Sequence, residues 1–194
     1  MKSERKKKEL SLKGFLILFV GYTALLTLGT VLFSRAGHEA AVRSNVKDIR
    51  HWAAAISAYI SEHGTAPTNP HGLLHPKIPF VRELIPYLKY IRMNDHWGET
   101  FRIWTGPGNH IYGIKTSGSN DFIIASYGAR GNLDGWDISH RETAFFSLKK
   151  KSSFQHDIVY FNGRFIHGPF FTQPDQEDRL NHPASPSFGR GDVH

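Results

Sequence analysis

From Gly14 to Phe33 the chain reads GFLILFVGYTALLTLGTVLF, twenty residues without a charge. At 1.5 Å per residue that is roughly 30 Å of helix, the thickness of a bilayer's hydrocarbon core. Thr23, Thr27 and Thr30 can return their hydroxyls to backbone carbonyls and cost little in such a segment. Residues 1–13 hold Lys2, Arg5, Lys6, Lys7, Lys8 and Lys13 against Glu4 and Glu9. A basic leader of this kind stays on the cytoplasmic side, which places residues 34–194 across the membrane. A cleaved secretory signal is the competing reading. The apolar stretch exceeds the usual signal core, however, and no small-x-small site ends it. The expectation is a single-pass anchor over 14–33, in contact with lipid, behind a cytoplasmic leader over 1–13.

The apolar pattern continues past the span. Val42, Val46, Ile49, Ala53, Ile56 and Ile60 advance by steps of four and three, one face of a helix at heptad-like spacing. Arg43, Asn45, Lys47, Asp48 and Arg50 occupy the remainder and read as the polar face. No proline falls between Gly14 and Ala66, and His63-Gly64 is a natural stop. Span and amphipathic half (34–64) can therefore form one rod of about fifty residues, on the order of 75 Å long. The outer half is expected to pack on a C-terminal domain.

Charge and composition narrow the function. The net charge is +7, of which the leader carries +4 and residues 34–194 only +3. The high pI thus reports mainly the leader, and a nucleic-acid partner loses its main support. Cysteine is absent, which excludes disulfides, thiolate metal sites and cysteine nucleophiles. The twelve histidines are scattered singly. None falls in H-E-x-x-H or in a close pairing with carboxylates that would fix zinc. There is no G-x-S-x-G, P-loop or dinucleotide fingerprint in context, so no catalytic residue is assigned and an enzyme is not expected.

Beyond Gly64, TAPTNPHGLLHPKIP carries four prolines and reads as a loop leaving the rod. FVRELIPYLKYI (80–91) reads as a short helix or turn interrupted at Pro86. Strands are expected near Thr100–Trp104, His110–Lys115, Asp121–Ser126, Asp157–Phe161 and Arg164–Gly168. TGPGN (105–109) reads as a hairpin turn joining the first pair, and Asn162-Gly163 as a type I′ turn joining the last. Connections this short imply antiparallel pairing. The fold class is α+β, with a domain over 65–171. Residues 172–194, rich in proline, aspartate, serine and glycine, read as a disordered tail.

Two loops stand out. In DHWG, Trp97 suits a core position, Gly98 permits a turn and Asp95 hydrogen-bonds it. In SYGARGNLDGWDI (126–138), Gly128, Gly131 and Gly135 alternate with Asp134 and Asp137. Such a loop can hold a cation, turn a corner or cover a hydrophobic face.

Together these features resemble the type IV pilin-like proteins. In that family a short basic leader ends in glycine, phenylalanine follows, and an apolar helix runs into an amphipathic one; Gly14-Phe15 matches that junction. NDHWGETFRI (94–103), FIIASYGARGNLDGWDI (122–138) and DIVYFNGRFI (157–166) resemble motifs of the G-type major pseudopilins of type II secretion, with His96 where the family has proline. The resemblance covers residues 14 to about 168. It implies a pilin-like fold, the long helix packed on a small antiparallel sheet, with the sheet domain in the periplasm of a bacterium and the anchor in its inner membrane. It also implies cleavage between Gly14 and Phe15 by a prepilin peptidase, and partners among other pseudopilins and a secretion or pilus platform. One departure matters. The fifth mature residue, usually a glutamate that pairs with a neighbour's N-terminal amine, is Phe19. An atypical or minor subunit is therefore expected, the alternative being a non-polymerising single-pass periplasmic scaffold or binding protein of the same fold.

The resemblance implies calcium in the 126–138 loop, held here by Asp134 and Asp137 with oxygens from Ser126 and Asn132. Arg130 stands where the family has an aspartate, and a guanidinium has no lone pair to give. The alternative is a metal-free loop in which Arg130 pairs with Asp134 or Asp137.

Overall fold

A computed structural model describes residues 12–173. Its first element, α1, spans Leu12–His63. The chain divides into two compact units between His38 and Glu39, and each is described by itself.

In the first unit, every residue from Phe15 to Val20 is exposed, as are Tyr22, Leu25 and Leu26. Thr23 Oγ1 donates to the carbonyls of Phe19 and Val20, both at 3.0 Å. Thr27 Oγ1 donates to those of Thr23 at 3.1 Å and Ala24 at 2.9 Å. Both hydroxyls are satisfied by the helix's own backbone. Among the described residues no helix is long and apolar enough to cross a membrane. The side chains at 28 and 30–33 of the expected span lie outside the described residues, as do the leader over 1–11 and the tail from 174 onward.

The second unit is a mixed α+β domain. Along α1, Val42, Val46, Ile49, Ala53 and Ile56 are buried, and Ile60 packs half-buried at the edge of the same cluster. Trp52 and Ala55 widen that face. Two of the residues expected on the polar face are instead buried, Asn45 and Asp48. Each has found partners: Asn45 Oδ1 accepts the His96 amide at 2.8 Å, and Asp48 accepts the Tyr90 hydroxyl at 2.7 Å and Arg92 at 3.3 Å. A polar group can be buried when its hydrogen bonds travel with it. Gly64 ends α1 at φ +80°, its amide donating to the Ile60 carbonyl at 2.8 Å, the left-handed stop that glycine adopts without strain. A short helix, α2 (Pro79–Leu84), buries Phe80, Val81 and Leu84, and runs into a single 3-10 turn over Ile85–Tyr87.

The strands are β1 (Arg102–Thr105), β2 (His110–Ile111), β3 (Ile114–Lys115), β4 (Phe122–Ser126), β5 (Phe145–Phe146), β6 (Ile158–Phe161) and β7 (Arg164–Pro169). Five of them form one sheet in the order β1-β4-β6-β7-β5, antiparallel except for the β5–β7 pair. The TGPGN reading is corrected here, because β1 pairs with β4, from Arg102↔Ala125 to Thr105↔Phe122. The single strand expected over 110–115 is two. Tyr112 (φ +55°) and Gly113 (φ +68°) fold it into its own hairpin, Ile111 facing Ile114. Two successive positive φ angles make the tight turn that suits strand twist. Tyr112 is held there by its hydroxyl, which donates to Asp157 at 2.8 Å. The two-residue β5 lies outside the expected strands, and the expected start of the tail at 172 falls inside the domain, since Thr172 is buried.

Asn162 (φ +41°) and Gly163 (φ +100°) turn β6 into β7, with Phe161 opposite Arg164. The Asn162 amide donates to Asp121 at 2.7 Å and accepts the Phe122 N–H at 2.8 Å. Asn162→Ala removes both bonds and the tolerance for positive φ. Chemical denaturation is expected to show a loss of about 1–2 kcal/mol; a loss below about 0.5 kcal/mol would show that the turn does not depend on this side chain.

All five residues of β4 are buried because both sheet faces are covered. Phe122 and Ile124 join the cluster beneath α1, with Ile103, Ile158 and Phe165, while Ile123 and Ala125 join a second cluster with Tyr112, Ile114 and Val159. In the β6–β7 pair, Tyr160 faces Phe165 but Val159 faces His167, which leaves Ile166 as an extra residue. Strict alternation would put His167 on the Phe165 face, beneath α1. The bulge sends it instead to the Val159 face.

Candidate metal centre

The 126–138 loop closes over that second face. Gly128 (φ +61°) brings its backbone against the residues before β6; a Cβ there would meet the His156 carbonyl oxygen at 2.5 Å. Further on, Asp134 Oδ1 accepts the Trp136 amide at 2.9 Å, an Asx turn that points the other carboxylate oxygen inward. Asp134 Oδ2 accepts the Asp157 amide at 3.1 Å and lies 3.2 Å from His156 Nδ1 and 3.4 Å from His167 Nε2. Asp134, His156 and His167 thus bring one donor atom each within 4.8 Å of one another. The Asp134 and His167 side chains are 3% and 2% exposed, whereas that of His156 is 43% exposed.

Aromatic rings hold the imidazoles. Trp136 stacks on His167 with centroids 4.3 Å apart and planes 11° apart. Phe146 lies 4.9 Å from His156 and 5.4 Å from His167. His167 Nδ1 sits 2.7 Å from the Ala144 carbonyl. Asp157 is fully buried beside them; its Oδ2 accepts the Tyr112 hydroxyl, and its Oδ1 has no partner.

Charge in this cluster is divided unequally. Burial, and then the charge of Asp134, push the Asp157 carboxyl up to about 7. Burial alone would raise Asp134 too. The His167 hydrogen bond and the Trp136 and Asp157 amides outweigh it, and hold Asp134 well below the usual carboxylate range.

The oxygens expected around calcium are engaged separately. Ser126 Oγ donates to Asp95 Oδ2 at 2.7 Å, Asn132 is exposed, and Asp137 Oδ1 accepts the Ser139 amide at 2.8 Å and pairs with His140 at 3.3 Å. With Asp134 turned to two imidazoles, the residues do not fit an all-oxygen calcium site. The staple expected from Arg130 is absent as well: among the described residues it makes no ion pair with Asp134 or Asp137, which lie against histidines instead. In the other loop, Asp95 Oδ1 accepts the Trp97 and Glu99 amides at 2.9 and 3.0 Å, Gly98 turns at φ +94°, and Trp97 packs half-buried on the main core. Gly14 and Phe15 lie in the first unit on α1.

His156 and His167 escaped the sequence reading because the donors are 22 and 33 positions from Asp134 and come from three different elements. The available signal was His167 itself, a histidine amid the apolar residues of a strand. No family model, curated protein or solved structure matches the chain.

Proposed function

We propose that this chain is a pilin-like assembly subunit, anchored in the bacterial inner membrane by the first part of α1 and carrying its α+β domain in the periplasm. The observation that carries the reading is the run of exposed apolar residues from Phe15 to Leu26, whose threonine hydroxyls are turned back into the helix. Such a surface suits lipid or the equivalent helix of a neighbour and is costly in water. The buried face over Val42–Ile56 seats the other half of α1 on the sheet, the division of labour expected of a pilin-like fold. Other pseudopilins, a prepilin peptidase and a secretion or pilus platform are the partners this reading calls for.

Intact-mass measurement of the full chain, produced in a host with a prepilin peptidase, tests it. The expected species begins at Phe15. A membrane-bound species retaining Met1 would sink the processed-subunit reading. A second reading, the non-polymerising scaffold, is favoured by Phe19, which stacks on Phe15 at 6.4 Å and offers no carboxylate to a neighbour's amine. Because the chain lacks cysteine, Leu18→Cys places a unique thiol on the exposed stretch. Oxidation to a disulfide-linked dimer in membranes supports assembly; a monomer under the same conditions supports the scaffold.

A further inference from the structure

We infer that Asp134, His156 and His167 form a binding site for a divalent transition metal of the zinc class, where the family resemblance implies calcium. Four observations lead there. The first concerns hydrogens. The Ala144 carbonyl can only accept, so His167 Nδ1 carries a hydrogen, and Nε2 is the nitrogen left to face a ligand. Nε2 faces the Asp134 carboxylate 3.4 Å away, with His156 Nδ1 at 3.2 Å from the same oxygen. Two imidazole nitrogens and a carboxylate converging in this way need positive charge among them, which a metal ion or a ring proton supplies.

The second is distance. Bonds of about 2.0–2.1 Å to a tetrahedral ion put neighbouring donors roughly 3.3–3.5 Å apart, close to the 3.2 and 3.4 Å from the Asp134 oxygen to the two imidazole nitrogens. The third is support: the Ala144 carbonyl and the Trp136 ring fix His167, and the Trp136 amide fixes Asp134. Metal-ligating histidines are oriented by such partners. The fourth is Asp157, next in sequence to His156, fully buried with Oδ1 unpartnered. The unpartnered oxygen of a buried acid beside the cluster is a polar atom that a nearby cation would satisfy.

Two imidazoles and one carboxylate suit zinc, cobalt or nickel, whereas calcium takes hard oxygens. The half-exposed His156 leaves a fourth position for water. Bound, the ion would tie the 126–138 loop to the ends of β6 and β7, the fastening that calcium would otherwise supply. This inference stands apart from the assembly reading, and either can fail alone.

The test uses the full chain in detergent, stripped with a chelator, then titrated separately with Co²⁺, Zn²⁺ and Ca²⁺. One equivalent of Co²⁺ is expected to give the intense visible bands of a four-coordinate centre, abolished by Zn²⁺, and Zn²⁺ to raise the melting temperature with concentration. His156→Ala, at a half-exposed position, should keep a cooperative melt while weakening Co²⁺ binding at least tenfold. His140→Ala, outside the cluster, should bind as the parent does. The inference is overturned by a parent chain that binds no Co²⁺ (imidazoles held by protons alone), by equal binding in His156→Ala, or by Ca²⁺ stabilising as strongly as Zn²⁺.

Discussion

Gly128→Ala is expected to cost about 3 kcal/mol and to lower the melting temperature by roughly 6–12 °C. Two effects add. An alanine at φ +61° sits in the left-handed region, at a cost of about 1–2 kcal/mol. Its Cβ would also approach the His156 carbonyl oxygen to 2.5 Å, and the Gln155 carbonyl carbon and Phe154 carbonyl oxygen to 3.0 Å. All three are backbone atoms, so no side chain can rotate away. Gly135→Ala is the control from the same loop, with φ +84° and nothing within 4 Å of the added carbon. It should lose about 1–2 kcal/mol, and the difference isolates the close approach of the loop to the segment carrying His156. Equal losses at the two positions would refute the packing argument.

The second large effect is at Trp52, which is 1% exposed on the buried face of α1 and donates its indole N–H to the Arg92 carbonyl at 2.9 Å. Trp52→Ala opens a cavity between helix and domain and leaves that carbonyl without its donor. A loss of about 3–5 kcal/mol in urea denaturation is expected. Trp52→Phe retains most of the ring volume and removes chiefly the hydrogen bond, so it should lose only about 1–2 kcal/mol. Should the phenylalanine variant prove as unstable as the alanine one, the hydrogen bond rather than the volume would govern this contact.

Periodicity and turn chemistry made the helix face and the β6–β7 hairpin legible in sequence, because both are local. Val42 to Ile56 needs only the 3.6-residue repeat, and Asn162-Gly163 only the tolerance of two residues for positive φ. The β1 partner was not legible: TGPGN looks like a hairpin turn, yet the chain makes an excursion through β2 and β3 before β4 returns beside β1. Asn45 and Asp48 looked solvent-facing because a helical wheel cannot show that His96, Tyr90 and Arg92 arrive to satisfy them. The Asp134 loop drew attention for its carboxylates. Its actual neighbours depend on a bulge and a hairpin register, both tertiary facts that no spacing rule encodes.

The extra residue at Ile166 changes the parity of β7 partway along its length. Before it, Phe165 belongs to the floor on which α1 rests; after it, His167 belongs to the opposite side of the sheet. One short strand therefore serves two masters without forcing them to vary together. Residues on the His167 side can be exchanged with the helix seat left as it is, and the seat can be repacked with the histidine still in place. Absorbing Ile166 into regular pairing, with no bulge, would undo that independence, carrying the imidazole under the helix and leaving Asp134 to face a gap.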